Sequence, residues 1–291
     1  MTTQISRPTP RPAPVPAGLV FTHNGHRYKL SQKPGPIGAD NKFLPVTGVT
    51  TLIGGGIPKP ALVRWAPRVV AEWVTAPENR EQLDTLLAGD PVAAVRELKE
   101  LPTKARDEAG VRGTAVHNLA ETLHSTGEAP DVPEELLGFV EGYVKFLDDW
   151  QITPVLAERP VGNRKDWWAG TFDLLCTSPF LAGGKLIQID LKTSRGVYGE
   201  TALQTGAYSK AEFYVDEHGN EQPMPEVHAT YVAHVTSEGT HLYELGADRA
   251  AIDRHYALFL AAAFTHKTTK ERDAIISEPL TIPHTEMSAA A

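Results

Sequence analysis

Residues 186–192, LIQIDLK, decide the fold, together with the helical segment ETALQTGAYSKA that begins at Glu200. The first run is apolar and β-prone, the composition of a strand. Side chains alternate faces along a strand. Ile187, Ile189 and Leu191 are therefore expected in a core, with Gln188, Asp190 and Lys192 on the other face. A carboxylate and an ammonium then share one cleft wall. Upstream, residues 167–176, WWAGTFDLLC, read as a neighbouring strand. Phe172 and Leu174 are expected on one side of it, with Thr171 and Asp173 between and beside them. Gly170 leaves room there for a ligand or another backbone to approach. The downstream segment reads as a helix over 199–214, on which Gln204 and Tyr208 share a face at i, i+4.

Two strands and a helix thus bring two carboxylates, a lysine, a glutamine and a tyrosine together. Mg²⁺ takes oxygen ligands, commonly one or two carboxylates plus substrate phosphate. A bound metal lowers the pKa of a coordinated water and neutralises phosphate charge. Lys192 would orient or help deprotonate such a water, or stabilise developing negative charge. Taken alone, Asp-x-Lys more often marks a surface ion pair worth little. Its weight comes from the motifs around it.

Further upstream, residues 104–125 read as a helix. Val116, Leu119, Ala120 and Leu123 form an apolar stripe, and Gly113, His117 and Glu121 an adjacent row. His117 would face the cleft from the edge of the core, its ring oriented by Glu121; the plainer alternative is a partly buried structural histidine. Residues 153–162, TPVLAERPVG, read as a strand pairing with the Asp173 strand as a hairpin. Glu158 on it has two equal alternatives, the cleft or solvent. Thr193 follows Lys192 directly, and Arg112, Arg164, Lys165, Arg195 and Lys210 lie close enough in sequence to form a phosphate-tracking wall.

Around this centre, residues 1–17 alternate prolines and read as a disordered tail. Residues 18–105 read as an N-terminal hairpin and helical region. It opens with an Asn24-Gly25 turn flanked by His23 and His26, taken as an ordinary exposed turn rather than a metal site. A strand, or a strand leading into a short helix, is expected over 44–54, then helices over 59–74 and about 78–88 and 90–101, with Pro67 kinking the first. Gly54-Gly55-Gly56 lacks the Gly-Lys-Ser/Thr that follows in a phosphate loop, which removes the nucleotide reading. The core over 106–278 is expected to add a helix at 133–150, with Leu136, Leu137, Val140, Tyr143, Val144 and Leu147 inward. It continues with a polar loop at 215–226, two strands over 228–246 and a closing helix over 248–267. Residues 279–291 read as a second disordered tail.

The 291 residues carry a net charge of −8, so no overall basic field advertises nucleic acid, although a local basic groove would suffice. Hydrophobic content of 41% is enough for a full core. The single cysteine, Cys176, excludes an internal disulfide and a four-cysteine metal site, and reads as buried filling. No stretch has the apolar length of a membrane span, and the first residues lack a basic-then-apolar signal. The expectation is a soluble cytoplasmic protein, in the host cytoplasm if phage-encoded.

In chain order, Gly113-x-x-x-His117, Gly170-x-x-Asp173, Asp190-x-Lys192-Thr193 and Gln204-x-x-x-Tyr208 resemble the RecB-like branch of the PD-(D/E)XK nuclease superfamily. That branch includes phage-encoded exonucleases and CRISPR-adaptation nucleases. The resemblance is specific over about 112–208 and looser over 18–66. It implies an α/β, restriction-endonuclease-like core, with a mixed central sheet flanked by helices, plus an N-terminal helical region. It implies Mg²⁺ or Mn²⁺ held by His117, Asp173, Asp190 and the backbone carbonyl of Leu191. Lys192 would be the catalytic lysine, with Gln204 and Tyr208 in the helical motif beside it. Asp190 stands where many relatives carry glutamate, and the iron–sulfur cysteines of the CRISPR-associated members are missing, so no cluster is expected. The implied function is a metal-dependent DNA nuclease, an exonuclease of phage DNA recombination, repair or replication. DNA is the implied partner, together with a single-strand-annealing or recombination protein. The alternatives are a non-catalytic DNA-binding partner with a nuclease fold, an endonuclease of the same superfamily, or a metallohydrolase of small phosphate esters.

Overall fold

A computed structural model describes residues 17–22, 27–35, 38, 40–126 and 132–280. The expected Asn24-Gly25 turn with its two histidines, and all but Ala17, Pro279 and Leu280 of the two expected tails, lie outside these residues. Ala17 is already tied in, its N–H donating to the Gly219 carbonyl at 2.8 Å.

The chain is α/β: an N-terminal helical region precedes a mixed seven-stranded sheet packed between helices. Three short strands come first, β1 (Leu19–Thr22), β2 (Arg27–Ser31) and β3 (Phe43–Val46), in an antiparallel sheet of their own. The central sheet comprises β4 (Thr153–Asn163), β5 (Trp168–Thr177), β6 (Ile187–Lys192), β7 (Phe213–Val215), β8 (Glu221–Pro223), β9 (Ala229–Thr236) and β10 (Gly239–Gly246). Their order is β10-β9-β6-β5-β4-β7-β8, and only β6 and β9 run parallel. The helices are α1 (Val49–Gly56), α2 (Pro60–Thr75), α3 (Arg80–Ala88), α4 (Pro91–Thr126), α5 (Leu137–Asp149), α6 (Glu200–Ser209), α7 (Arg249–Lys267) and α8 (Thr269–Asp273).

Two cores sandwich the sheet. On one face Ile187, Ile189 and Leu191 of β6 pack with Val116 and Ala120 of α4, Tyr143 and Phe146 of α5, and the buried Cys176. On the other, Trp168, Phe172 and Leu175 of β5 pack with Leu203 and Tyr208 of α6 and with Ile252 and Phe259 of α7. Because helices cover both sides, even the polar face of β6 is inside: Gln188 and Asp190 are buried. Asp248 caps α7, its carboxylate accepting from the Ala251 N–H at 2.8 Å.

Several expectations need correction. The helices expected at 90–101 and 104–125 are one helix, α4, so the boundary at 105/106 falls inside an element. Pro102 removes only one intrahelical N–H bond, and the Glu, Leu, Lys, Ala and Arg around it are strong helix formers. The helix after Lys192 ends at Ser209, and the supposed polar loop is the β7–β8 hairpin. Its turn is built by the Asp216 carboxylate, which accepts from the N–H groups of His218 and Asn220. On α5 the stripe turns: Phe146 is buried whereas Leu137 is 41% exposed. Finally, Phe172 and Leu174 belong to opposite cores rather than one face, because regular alternation breaks at Asp173 between them.

Glycines set the close approaches. Gly54-Gly55-Gly56 ends α1, and a Cβ on Gly56 would lie 2.0 Å from the Ala262 carbonyl oxygen of α7. Gly55, against His266, and Gly56 thus let α1 and α7 approach closely.

Candidate metal and phosphodiester site

The site forms where the β5–β6 ladder stops. The last paired residues are Leu174 and Ile189. One step on, the Asp173 carboxylate takes over as acceptor, with Oδ2 receiving the Leu191 N–H at 2.6 Å. This bond fixes a carboxylate at the mouth of the two strands and satisfies an amide that the ladder has released.

β4 contributes the next carboxylate. Ala157 pairs with Leu174 and Arg159 with Phe172, so Glu158 faces Asp173 across the hairpin. Its φ is 48°, in the left-handed region. Such a conformation costs about 1–2 kcal/mol for a residue with a Cβ and concentrates at functional sites. From α4 comes His117, whose Nδ1 is 3.6 Å from Glu158 Oε1 and 3.8 Å from Asp173 Oδ1. At these separations charge rather than a short hydrogen bond holds the ring. Burial works to lower the pKa of His117, yet the Asp173 and Glu158 carboxylates raise it to about 9. Burial raises the pKa of Asp173 itself, against the attraction of His117.

Asp190 and Lys192 face the α6 side of β6. Lys192 Nζ is 2.5 Å from Asp190 Oδ2, so the ammonium sits on one oxygen of this buried carboxylate while Oδ1 has no hydrogen-bond partner. Burial lifts Asp190 to about 6, even though Lys192 pulls the other way. Tyr208 closes the wall. Its ring lies on Gly170, where a Cβ would sit 2.3 Å from Tyr208 Cε1. The space left by that glycine is thus filled by an aromatic ring, not by a ligand or another backbone. Gln204 lies beside the Tyr208 hydroxyl, and Tyr28 meets Thr171 Oγ1 at 3.2 Å on the same side.

Other candidates fall where the folding puts them. A Cβ on Gly113 would be 3.1 Å from Thr193 Oγ1, so the Gly113 turn of α4 rides against the end of β6 and sets the height of His117. Glu121 is exposed; the carboxylates beside the His117 ring are Glu158 and Asp173. Arg112, Lys165 and Arg195 are exposed. Two members of the expected basic wall are engaged elsewhere. Arg164 is mostly buried, ion-paired to Glu221 and stacked 4.3 Å over the Phe213 ring. Lys210 is ion-paired to Asp253 of α7. Both hold sheet edge or helix in place, because each found a carboxylate from a distant segment.

Among the described residues, one cluster of His, Cys, Asp and Glu has the spacing of a metal cage: His117, Glu158 and Asp173, with donor atoms within 4.8 Å of one another. It differs at one position from the expected His117, Asp173 and Asp190, because Asp190 is turned to Lys192. One imidazole with carboxylate oxygens suits Mn²⁺ or Mg²⁺. The unpartnered Oδ1 of buried Asp190, in a site already bearing two other carboxylates, adds to the demand for a cation. The residues therefore fit a divalent metal. The Glu158 position was recoverable from sequence: four residues, 164–167, turn the hairpin, and counting back from the Asn163–Trp168 pair puts 158 opposite 173.

No protein-family model and no curated protein matches this chain. Among the described residues no helix is long and apolar enough to cross a membrane.

Proposed function

We propose that this chain is a Mg²⁺- or Mn²⁺-dependent deoxyribonuclease that hydrolyses phosphodiester bonds, acting as an exonuclease in phage DNA recombination, repair or replication. One observation carries the reading: Asp173, Glu158, Asp190, His117 and Lys192 converge from four elements at the open end of β5 and β6. The order of motifs that resembles RecB-like nucleases supports the same substrate class.

His117, Glu158 and Asp173 would hold the metal, with Asp190 beside them. When bound, the metal would supply Lewis-acid polarisation of the phosphoryl oxygen and a water of lowered pKa. Lys192 places an ammonium where negative charge develops on the phosphate or leaving oxygen. Asp190 holds that ammonium in place. The Leu191 N–H keeps Asp173 aimed, and Tyr208, braced by Gln204, packs out water on the α6 side.

The test is digestion of end-labelled linear DNA and closed circular DNA with Mn²⁺, Mg²⁺ or chelator, beside Asp190→Ala. Metal-dependent loss of linear DNA alone, abolished by the substitution, is the expected result. Cleavage of the circle would make the enzyme an endonuclease. DNA binding with no cleavage under any metal would replace the reading by a non-catalytic DNA-binding role.

A further inference from the structure

The sheet face that carries Asp190 and Lys192 continues onto the β9–β10 hairpin. Lys192 is in register with His234, His234 with His241, and Val232 with Tyr243. Ala233 and Val235 enter the α4/α5 core, and Leu242 packs against it. His234, His241 and Tyr243 therefore lie on the Lys192 side. Each step across the sheet is about 4.8 Å, so the row leads away from the lysine in even strides. α6 and α7 cover the other end of this face, where Ser209 bonds Gln188 and His255 lies by Gly206. The hairpin end is open: His241 is exposed and Tyr243 is 47% exposed.

The chemistry of the row is specific. His234 Nε2 lies 2.6 Å from the Ser194 carbonyl oxygen. A carbonyl only accepts, so Nε2–H donates and that donor is already engaged. What the ring offers a ligand beside it is a flat face. The Tyr243 ring stands beside it, 6.5 Å between centroids. Two exposed donors flank the pair, His241 on β10 and Arg195 next to Ser194. Aromatic faces with N–H donors alongside match an unpaired polynucleotide strand, whose bases can stack while its phosphates are held. A duplex keeps its bases stacked inside and would leave both rings without a role.

We propose that the β9–β10 hairpin and the 193–199 loop form a seat for the single-stranded end of DNA next to Lys192. Bases stack on His234 and Tyr243, and phosphates meet Arg195 and His241. The inference rests on the nuclease reading and names the form of the strand at that site.

The experiment is fluorescence anisotropy of a labelled single strand of about 12 nucleotides, and of its duplex, in chelator. It compares wild type, Tyr243→Ala, Tyr243→Phe and His241→Ala, each checked for an unchanged melting temperature. In parallel, Mn²⁺-dependent hydrolysis of bis(p-nitrophenyl) phosphate reports the site without the seat. Losing one stacking platform, Tyr243→Ala should weaken single-strand binding about tenfold. Tyr243→Phe should restore it, and small-diester hydrolysis should be the same in all. Equal single-strand binding by wild type and Tyr243→Ala overturns the seat, as does a wild type that binds no single strand. Weakened binding in Tyr243→Ala, with no metal-dependent cleavage of linear or circular DNA even by wild type, supports the seat and removes the nuclease reading instead.

Discussion

Gly170→Ala tests how the site is walled. A Cβ at residue 170 would stand 2.3 Å from Tyr208 Cε1 and 3.0 Å from its Cζ and hydroxyl. Ordinary carbon contacts begin at about 3.5 Å, so the ring would have to retreat by about 1 Å. It has nowhere to go: Tyr208 is 3% exposed and packed in the α6/α7 core. Overpacking of this kind costs about 1–3 kcal/mol. Backbone strain adds nothing, because Gly170 is not among the positive-φ glycines. For a chain this size about 2 kcal/mol lowers Tm by roughly 4–8 °C. The decisive assay is thermal unfolding of Gly170→Ala in two backgrounds, wild type and Tyr208→Leu. Leucine has no atom at the Cε1 position, so in that background the added methyl should cost less than about 0.5 kcal/mol, or stabilise, since alanine is preferred to glycine in a strand. An equal loss in both backgrounds would refute the reasoning, because additivity means the two residues do not meet.

Three further predictions concern the same centre and its support. Glu158→Gly and Glu158→Ala should both weaken Mn²⁺ binding by about 10–100-fold in calorimetry, yet the glycine variant should be about 1 kcal/mol more stable than the alanine variant, because φ at 158 is 48°. Equal stabilities would mean that the left-handed conformation is not kept. Lys192→Met should lower the rate of DNA hydrolysis by about 10²–10³-fold, read in single-turnover assays; a near-normal rate would remove the lysine from the reaction. Burial holds the pKa of His124, which hydrogen-bonds the Tyr143 hydroxyl at 2.9 Å, below its ordinary value. A base with a depressed folded pKa leaves stability whole above the unfolded value of about 6.5 and erodes it as pH falls below that. Urea unfolding between pH 7 and 5 should therefore show a shallower decline for His124→Gln, which keeps a hydrogen-bonding group and cannot take up the proton.

What the sequence revealed of the fold follows from how many residues vote on each element. Period-two alternation in β6 and the 19-residue run of helix formers in α7 are each settled by many side chains. Short elements are not: β7 and β8 have three residues each, and Glu-Gln-Pro in β8 carries no strand preference. They exist because the Asp216 turn and the Arg164–Glu221 pair hold them to β4. Pro102 misled in the opposite sense, since a proline signals a break while one missing bond in a 36-residue helix is affordable. Gly170 was legible as a place of close approach, and Gly113 only as a neighbour of His117 on one helix row. What approaches them, a threonine hydroxyl and a tyrosine ring, is a matter of tertiary packing.

The site shows the same limit more sharply. Asp190 and Lys192 share a face by alternation alone, and their ion pair follows from two positions on one strand. Glu158 required a hairpin register counted through its turn, and then a φ that alternation cannot anticipate. The unusual backbone and the missing ladder bond have a common cause. A continued β5–β6 ladder would bring Asp173 into the sheet and use the Leu191 N–H for a strand partner. Ending the ladder at Leu174 and Ile189 frees that N–H to hold the Asp173 carboxylate, and the same break lets Phe172 pass to the other core. Glu158, opposite Asp173, then takes a left-handed turn that leaves its carboxylate beside His117. Irregularity on both strands at one level is thus what assembles the cage, which is why a reading built on regular periodicity located the strands and left Glu158 open.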